Sequence, residues 1–200
     1  FVDYSNIDGI AEELLPKDPS PSFTVERRRV DAALTPGHYA YLKISEGCNH
    51  TCAFCVIPDI RGPMRSLPED DLVARARTLA ERGVKELVVI AQDSTVYGTD
   101  LYGSNRTSRL LHRLDSIEGV EWIRLMYAYP TEVRDELIET LATSERVLPY
   151  LDVPMQHASD SVLKRMRRGY GRARLSRMVQ DLRDRVPDIA LRTTFIVGFP

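Results

Sequence analysis

All three cysteines of the chain fall in one short stretch, Cys48-Asn49-His50-Thr51-Cys52-Ala53-Phe54-Cys55. A C-x₃-C-x₂-C loop brings three thiols to one place, and three is an informative number. A structural zinc site closes on four protein ligands, so it would need His50 or a distant histidine as well. A [4Fe–4S] cube has four irons to ligate; three cysteines on one loop hold three of them and leave the fourth open to a substrate or cofactor. Cys52 and Cys55 also have the C-x-x-C form of a redox pair. On spacing alone, these readings stay open.

The surroundings bound the answer. An odd set of locally clustered cysteines does not resemble a secreted disulfide framework, so a reducing, cytoplasmic setting is expected. With 200 residues, 43% apolar and 28% charged, the chain suits one globular domain with a full core. A net charge of −2 gives no overall bias toward nucleic acid or an anionic membrane. The longest wholly apolar run, Leu87 to Ala91, is far too short to span a bilayer.

Along the chain, residues 1–37 differ from the rest. Asp8 to Leu15 has the pattern of a short helix; Pro16, Pro19 and Pro21 then break regular structure, and Arg27 to Arg29 reads as a solvated connector. This stretch is expected to be the end of a preceding domain plus a linker, with the core domain spanning 38–200. From Tyr39 onward, strands alternate with helices. Strands are expected at about 39–45, 85–91, 121–127, 149–153 and 189–197. Helices are expected at about 67–82, 107–117, 131–142, 160–167 and 172–185. Ser66 and Glu69 have the spacing of a capping box, and Gly83 suits the position after the first helix. Such alternation means βαβ units and a parallel sheet. Periodicity alone allows a partial barrel, a full (βα)₈ barrel or an open doubly wound sheet. In each of them, function gathers at the C-terminal ends of the strands. The cysteine loop, Gln92-Asp93, the Tyr127–Pro130 turn, Gln156-His157 and Gly198 all fall at that edge.

Three cysteines at this spacing, with an aromatic (Phe54) before the third and a first strand just ahead, resemble the radical S-adenosylmethionine (SAM) superfamily. The phrase Ile44-Ser45-Glu46-Gly47-Cys48-Asn49-His50, continuing to Pro58 and Arg61-Gly62, is similar to the methylthiotransferases. Ala91-Gln92-Asp93-Ser94-Thr95-Val96-Tyr97-Gly98 and Tyr150-Leu151-Asp152-Val153-Pro154-Met155-Gln156-His157-Ala158-Ser159 resemble the RimO type. The tRNA-modifying MiaB type usually reads Gly-Gln-Asn where this chain has Ala91-Gln92-Asp93.

The resemblance implies an α/β fold, a partial (βα)₆ radical SAM barrel truncated after strand five. It implies that Cys48, Cys52 and Cys55 ligate a [4Fe–4S] cluster whose open iron chelates SAM. Phe54 would lie near the adenine, and Gln92 or Asp93 would accept hydrogen bonds from the SAM ammonium. Gln156 would approach the ribose, Val197 and Gly198 would flank the adenine, and Arg168 would pair with the SAM carboxylate. No catalytic side chain is expected beyond the cluster and SAM. An electron donor such as flavodoxin would reduce the cluster, and SAM cleavage would give a 5′-deoxyadenosyl radical able to remove hydrogen from an unactivated carbon. The implied substrate is the β-carbon of an aspartate in small-subunit ribosomal protein twelve, which receives a methylthio group. The rival within the family is tRNA methylthiolation of the MiaB type; the rival from another class is a non-catalytic zinc-binding domain. Full-length enzymes of the RimO type carry a second [4Fe–4S] cluster on an N-terminal domain. Residues 1–37 hold no cysteine, so this chain is expected to bind one cluster and SAM without completing methylthiolation.

Overall fold

The computed structural model describes residues 36–200. The short helix, proline breaks and basic run expected near the N-terminus lie outside the described residues. In chain order the elements are β1 (Tyr39–Lys43), β2 (Ser45–Glu46), α1 (Ile57–Arg61), β3 (Arg65–Ser66), α2 (Glu69–Glu81), β4 (Glu86–Ile90) and α3 (Thr99–Tyr102). There follow α4 (Thr107–Asp115), β5 (Trp122–Leu125), α5 (Asp135–Thr143), β6 (Val147–Asp152), α6 (Asp160–Arg165), α7 (Arg172–Arg185) and β7 (Ala190–Arg192).

Five strands form one sheet in the order β1-β4-β5-β6-β7, every neighbouring pair parallel. Strands laid down in chain order build a barrel wall; a doubly wound sheet would reverse its order at a switch point. Strand β1 alternates as a sheet with one covered face should: Ala40 and Leu42 are buried, while Tyr41 is exposed. Behind that covered face, Leu72, Val73 and Ala76 of α2 join Leu110, Leu111 and Leu114 of α4 in one core with Leu87, Val89, Ile123, Leu125 and Leu151 of the strands. Each such aliphatic side chain stabilises the fold by roughly 1.5–3 kcal/mol relative to exposure. Among the described residues, no helix is long and apolar enough to cross a membrane.

Several local expectations need correction. The first strand does not run to residue 45. It ends at Lys43, and Ser45–Glu46 instead pairs antiparallel with Arg65–Ser66, closing a two-strand ribbon at the base of the cysteine loop. The capping box does not form, because long-range partners outbid it. Pro68 sits at the cap of α2, the Ser66 hydroxyl accepts from Gly98 N at 3.0 Å, and Glu69 N donates to the Tyr102 hydroxyl at 2.9 Å. The Glu69 carboxylate turns inward, 3% exposed, to Arg106, Arg109 and Arg113. Gly83 does follow α2 as expected: its φ is 90°, and its N–H and that of Val84 bond back to Ala80 and Leu79. The last strand is shorter than expected. Beyond the Val153 N to Arg192 O bond, Thr193 takes over with its side chain, its hydroxyl donating to Val153 O and accepting from Met155 N, and pairing returns only at the Gln156–Phe195 bridge.

Candidate functional site

The cysteine loop leaves β2 and returns to β3 at the C-terminal edge of the sheet. Gly47, with φ of 77°, opens it; a Cβ there would meet Pro63 O at 2.3 Å and Gly62 O at 2.6 Å, so only glycine fits. Cys48 N donates to Gly62 O at 3.2 Å and Met64 N to Asn49 Oδ1 at 3.0 Å, tying the two limbs together. Farther along, Ala53 N donates to Met166 O at 3.0 Å, which pins the loop to the end of α6. Cys48 and Cys52 are half-buried and Cys55 is exposed. The backbone N–H of His50 points at Cys48 Sγ, 3.4 Å away. Burial pushes the Cys48 thiol up; that N–H opposes the shift, and Asp93 with the two other cysteines adds to it.

A second layer stands behind the loop. His50 stacks flat on Tyr129, ring centres 3.8 Å apart, and its Nε2 meets Asp93 Oδ2 at 2.6 Å. The other Asp93 oxygen caps the turn at Ser94–Val96 by accepting from Thr95 N at 2.9 Å, and it also takes the Thr95 hydroxyl. Both oxygens of Asp93 are therefore engaged. Gln92 differs. Its Nε2 donates to Glu46 Oε1 at 2.9 Å, which fixes the amide orientation, and its Oε1 is buried with no partner. Of the pair, Gln92 holds the spare acceptor.

Beside them lies a cleft of about 300 Å³ lined by Gln92, Tyr127, Ala128, Tyr129, Pro154, Gln156, Arg168 and Thr194. That volume suits a small molecule. Two of its residues, Tyr127 at φ 61° and Gln156 at φ 68°, hold left-handed backbone conformations that non-glycine residues seldom adopt. Such strain gathers at ligand sites. Arg168 is buried and donates to the Tyr170 hydroxyl, Pro154 O and Cys52 Sγ. Burial works against its charge, but Tyr170, Cys52 and Tyr129 together outweigh burial and raise its pKa.

Phe54 is half-buried and meets Phe199 edge-on, ring centres 6.3 Å apart, so the chain after Gly198 reaches the cysteine loop. Val197 is 90% exposed, and Gly198 has φ of 72°. Of the other histidines, His112 Nε2 lies 3.3 Å from Thr140 Oγ1, and His157 Nδ1 accepts from Ser159 N at 2.9 Å. Sequence reasoning placed the Tyr127–Pro130 turn at this edge and Glu46 within a motif, but it gave no role to Tyr129, Tyr170 or Glu46. The one available signal was the aromatic pair Tyr127 and Tyr129 just beyond an apolar strand. Among the described residues, no three His, Cys, Asp or Glu side chains converge as ligands of a single metal ion. A larger cluster fits the donor set better: three thiols on one loop, N–H donors aimed at two of the sulfurs, and an orphaned amide oxygen on Gln92, which lines the cleft together with Arg168.

Comparison with known proteins adds to this. Residues 42–200 match the family model of the radical SAM superfamily. Ribosomal protein uS12 methylthiotransferase RimO of Moorella thermoacetica is 58% identical over 163 residues, 81% of this chain and 38% of the relative. The protein of the same name from Aquifex aeolicus is 51% identical over 176 residues, 88% of this chain and 41% of the relative. The chain thus spans less than half the length of these curated relatives. The radical SAM methyltransferase TsrM of Kitasatospora setae, solved with tryptophan and a SAM analogue, superposes with a TM-score of 0.64 at 17% identity, covering 82% of this chain and 31% of that one. That likeness is one of fold.

Proposed function

The chain belongs to the radical SAM superfamily, and from that membership and the site's geometry we propose that it is the core of a methylthiotransferase. Its substrate is an aspartate β-carbon of small-subunit ribosomal protein twelve, and its setting is the cytoplasm. One observation carries the reading: a three-thiol loop at the C-terminal edge of the sheet, in a chain 58% identical over 163 residues to a protein named for that activity. Cys48, Cys52 and Cys55 hold a [4Fe–4S] cluster, and the cluster's open iron takes SAM. When bound, the pair supplies one-electron cleavage of SAM and hence hydrogen abstraction from an unactivated carbon, the electron coming from a donor such as flavodoxin.

The protein's share is binding, orientation and exclusion of water. Gln92 Oε1 is the acceptor for the SAM ammonium, because it is the buried oxygen left without a donor. Asp93 acts one step back: it holds His50, which stacks on Tyr129 and so shapes the cleft wall. Gln156 turns its amide to the ribose hydroxyls, and Phe54, Val197 and Gly198 form the adenine side. A second cluster belongs to the full-length protein.

The test is anaerobic reconstitution, with iron, sulfide and zinc measured together and EPR spectra taken after reduction with and without SAM. About four irons per chain and a signal that changes on adding SAM support the reading. Stoichiometric zinc, or a spectrum indifferent to SAM, returns the cysteines to a structural role. Assaying the full-length enzyme on the ribosomal protein and on tRNA then decides the substrate; methylthiolated tRNA would overturn the ribosomal-protein reading.

A further inference from the structure

The segment from Lys164 to Arg177 is dense in basic residues, and Lys164, Arg165, Arg167, Arg172, Arg174 and Arg177 are all exposed. Arg168 alone is buried, 6% exposed. The backbone turns it inward: Arg167 and Gly169 on either side have φ of 56° and 70°, and the Tyr129 hydroxyl donates to Arg168 O at 2.6 Å. A buried guanidinium gives up its hydration, a heavy penalty unless an anion replaces the water. Yet its partners are neutral groups and one sulfur. Nε donates to the Tyr170 hydroxyl at 2.6 Å, Nη2 to Pro154 O at 3.1 Å and Nη1 to Cys52 Sγ at 3.2 Å. The rings of Tyr129 and Tyr170 flank the guanidinium at 4.3 and 5.2 Å. Among the described residues no carboxylate pairs with it.

We infer that Arg168 is a positioning residue whose missing anion is the Cys52 thiolate with the cluster it ligates. It holds that sulfur by a charge-assisted N–H···S bond and raises the cluster's reduction potential. The physical reason is charge. Reduction adds one electron from an external reductant, breaks no bond and leaves the cluster one unit more negative. A fixed cation at the ligating sulfur stabilises that reduced form more than the oxidised one. Hydrogen bonds to cluster sulfurs and outer-shell charge are the levers by which a protein sets such a potential. The tyrosine bracket keeps the lever in place, so Arg168 acts on the sulfur even when the cleft holds no SAM. This differs from the role its sequence suggested, a partner for the SAM carboxylate.

The experiment is an EPR-monitored redox titration of the reconstituted holoprotein in the absence of SAM, with dithionite as reductant. Cys48→Ala identifies which signal belongs to this cluster. Arg168→Gln removes the charge, and Arg168→Lys keeps it while losing the fork and the ring contacts. The expected order of midpoints is wild type highest, Arg168→Lys lower and Arg168→Gln lowest. If Arg168→Gln takes up no iron, Arg168→Lys decides, and a midpoint equal to wild type overturns the inference. So does an unmoved midpoint in Arg168→Gln accompanied by a tenfold or greater weakening of SAM binding, which would make Arg168 a carboxylate partner. The inference rests on Cys48, Cys52 and Cys55 being cluster ligands. A wild-type protein that takes up no iron defeats that reading, whereas a loaded wild type with variants of unchanged midpoint defeats this inference alone.

Discussion

Glu69 and Arg168 are both buried charges, and the protein treats them in opposite ways. Glu69, on the helical side, has three guanidinium partners: Arg106 at 3.3 Å, and Arg109 and Arg113 at 3.1 Å each. Arg168, at the C-terminal edge, has aromatic rings, a hydroxyl, a carbonyl and a sulfur. The first charge is neutralised by the chain itself and locks α2 to α4. The second has no carboxylate partner among the described residues. A buried charge answered from within belongs to the fold; one left unanswered marks where a ligand belongs.

This contrast has measurable consequences. Glu69→Ala leaves three cations facing a buried gap and is expected to destabilise the iron-free protein by about 2–3 kcal/mol, a value tempered by the exposure of Arg109. Urea denaturation reads it, and a cost below about 0.5 kcal/mol would reduce the Glu69 cluster to an ordinary surface network. On the site's side, Gly47→Ala forces a Cβ against Pro63 O and is expected to cost about 2 kcal/mol together with most of the iron uptake. Uptake equal to wild type would mean that the loop's tight closure plays no part in holding the cluster. Arg168→Met, which removes a charge that has no carboxylate, is expected to change the stability of the iron-free protein by less than about 1 kcal/mol. If it instead costs as much as Glu69→Ala, the two charges are alike and the contrast disappears. The smallest effect concerns Tyr129. Burial raises its pKa from 10.0 to about 12, the Arg168 charge opposing and Cys52 adding to the rise. Its contribution to stability is therefore full below about pH 10 and lost as pH rises through about 12. Ultraviolet titration of wild type against Tyr129→Phe checks this; the two should lose stability in parallel only if Tyr129 titrates like an exposed tyrosine.

Much of the architecture was legible because buried parallel strands read as continuous apolar runs, as in Leu87-Val88-Val89, and because α2, α4 and α7 carry clear helical stripes. The edge where the motifs meet followed from that alternation. Less legible was anything set by distant partners. Ser66 and Glu69 have an N-cap pattern, but arginines roughly forty positions later take the carboxylate. Strands as short as Ser45–Glu46 and Arg65–Ser66 leave no periodicity to read. The short helices at Ser94–Val96 and Thr99–Tyr102 were hidden in a stretch rich in loop-forming residues. Arg168 is one letter in a run of basic residues, and nothing local shows that left-handed residues on both sides will turn it inward. Gln92 and Asp93 were equivalent as letters; only three-dimensional neighbours reveal that one has an oxygen to spare and the other does not.

The ribbon formed by β2 and β3 bears on how the cysteine loop would receive the cluster proposed for it. Pairing Ser45 with Ser66 and Glu46 with Arg65 joins the two ends of the loop through backbone bonds alone. Bringing the ends of a flexible segment together has an entropic cost that grows with the logarithm of its length. Here the β2–β3 pairing meets that cost within the fold itself. On the proposed ligation, the thiols would be offered from a ring already closed, so their affinity for a cluster would not be diminished by the work of gathering the chain.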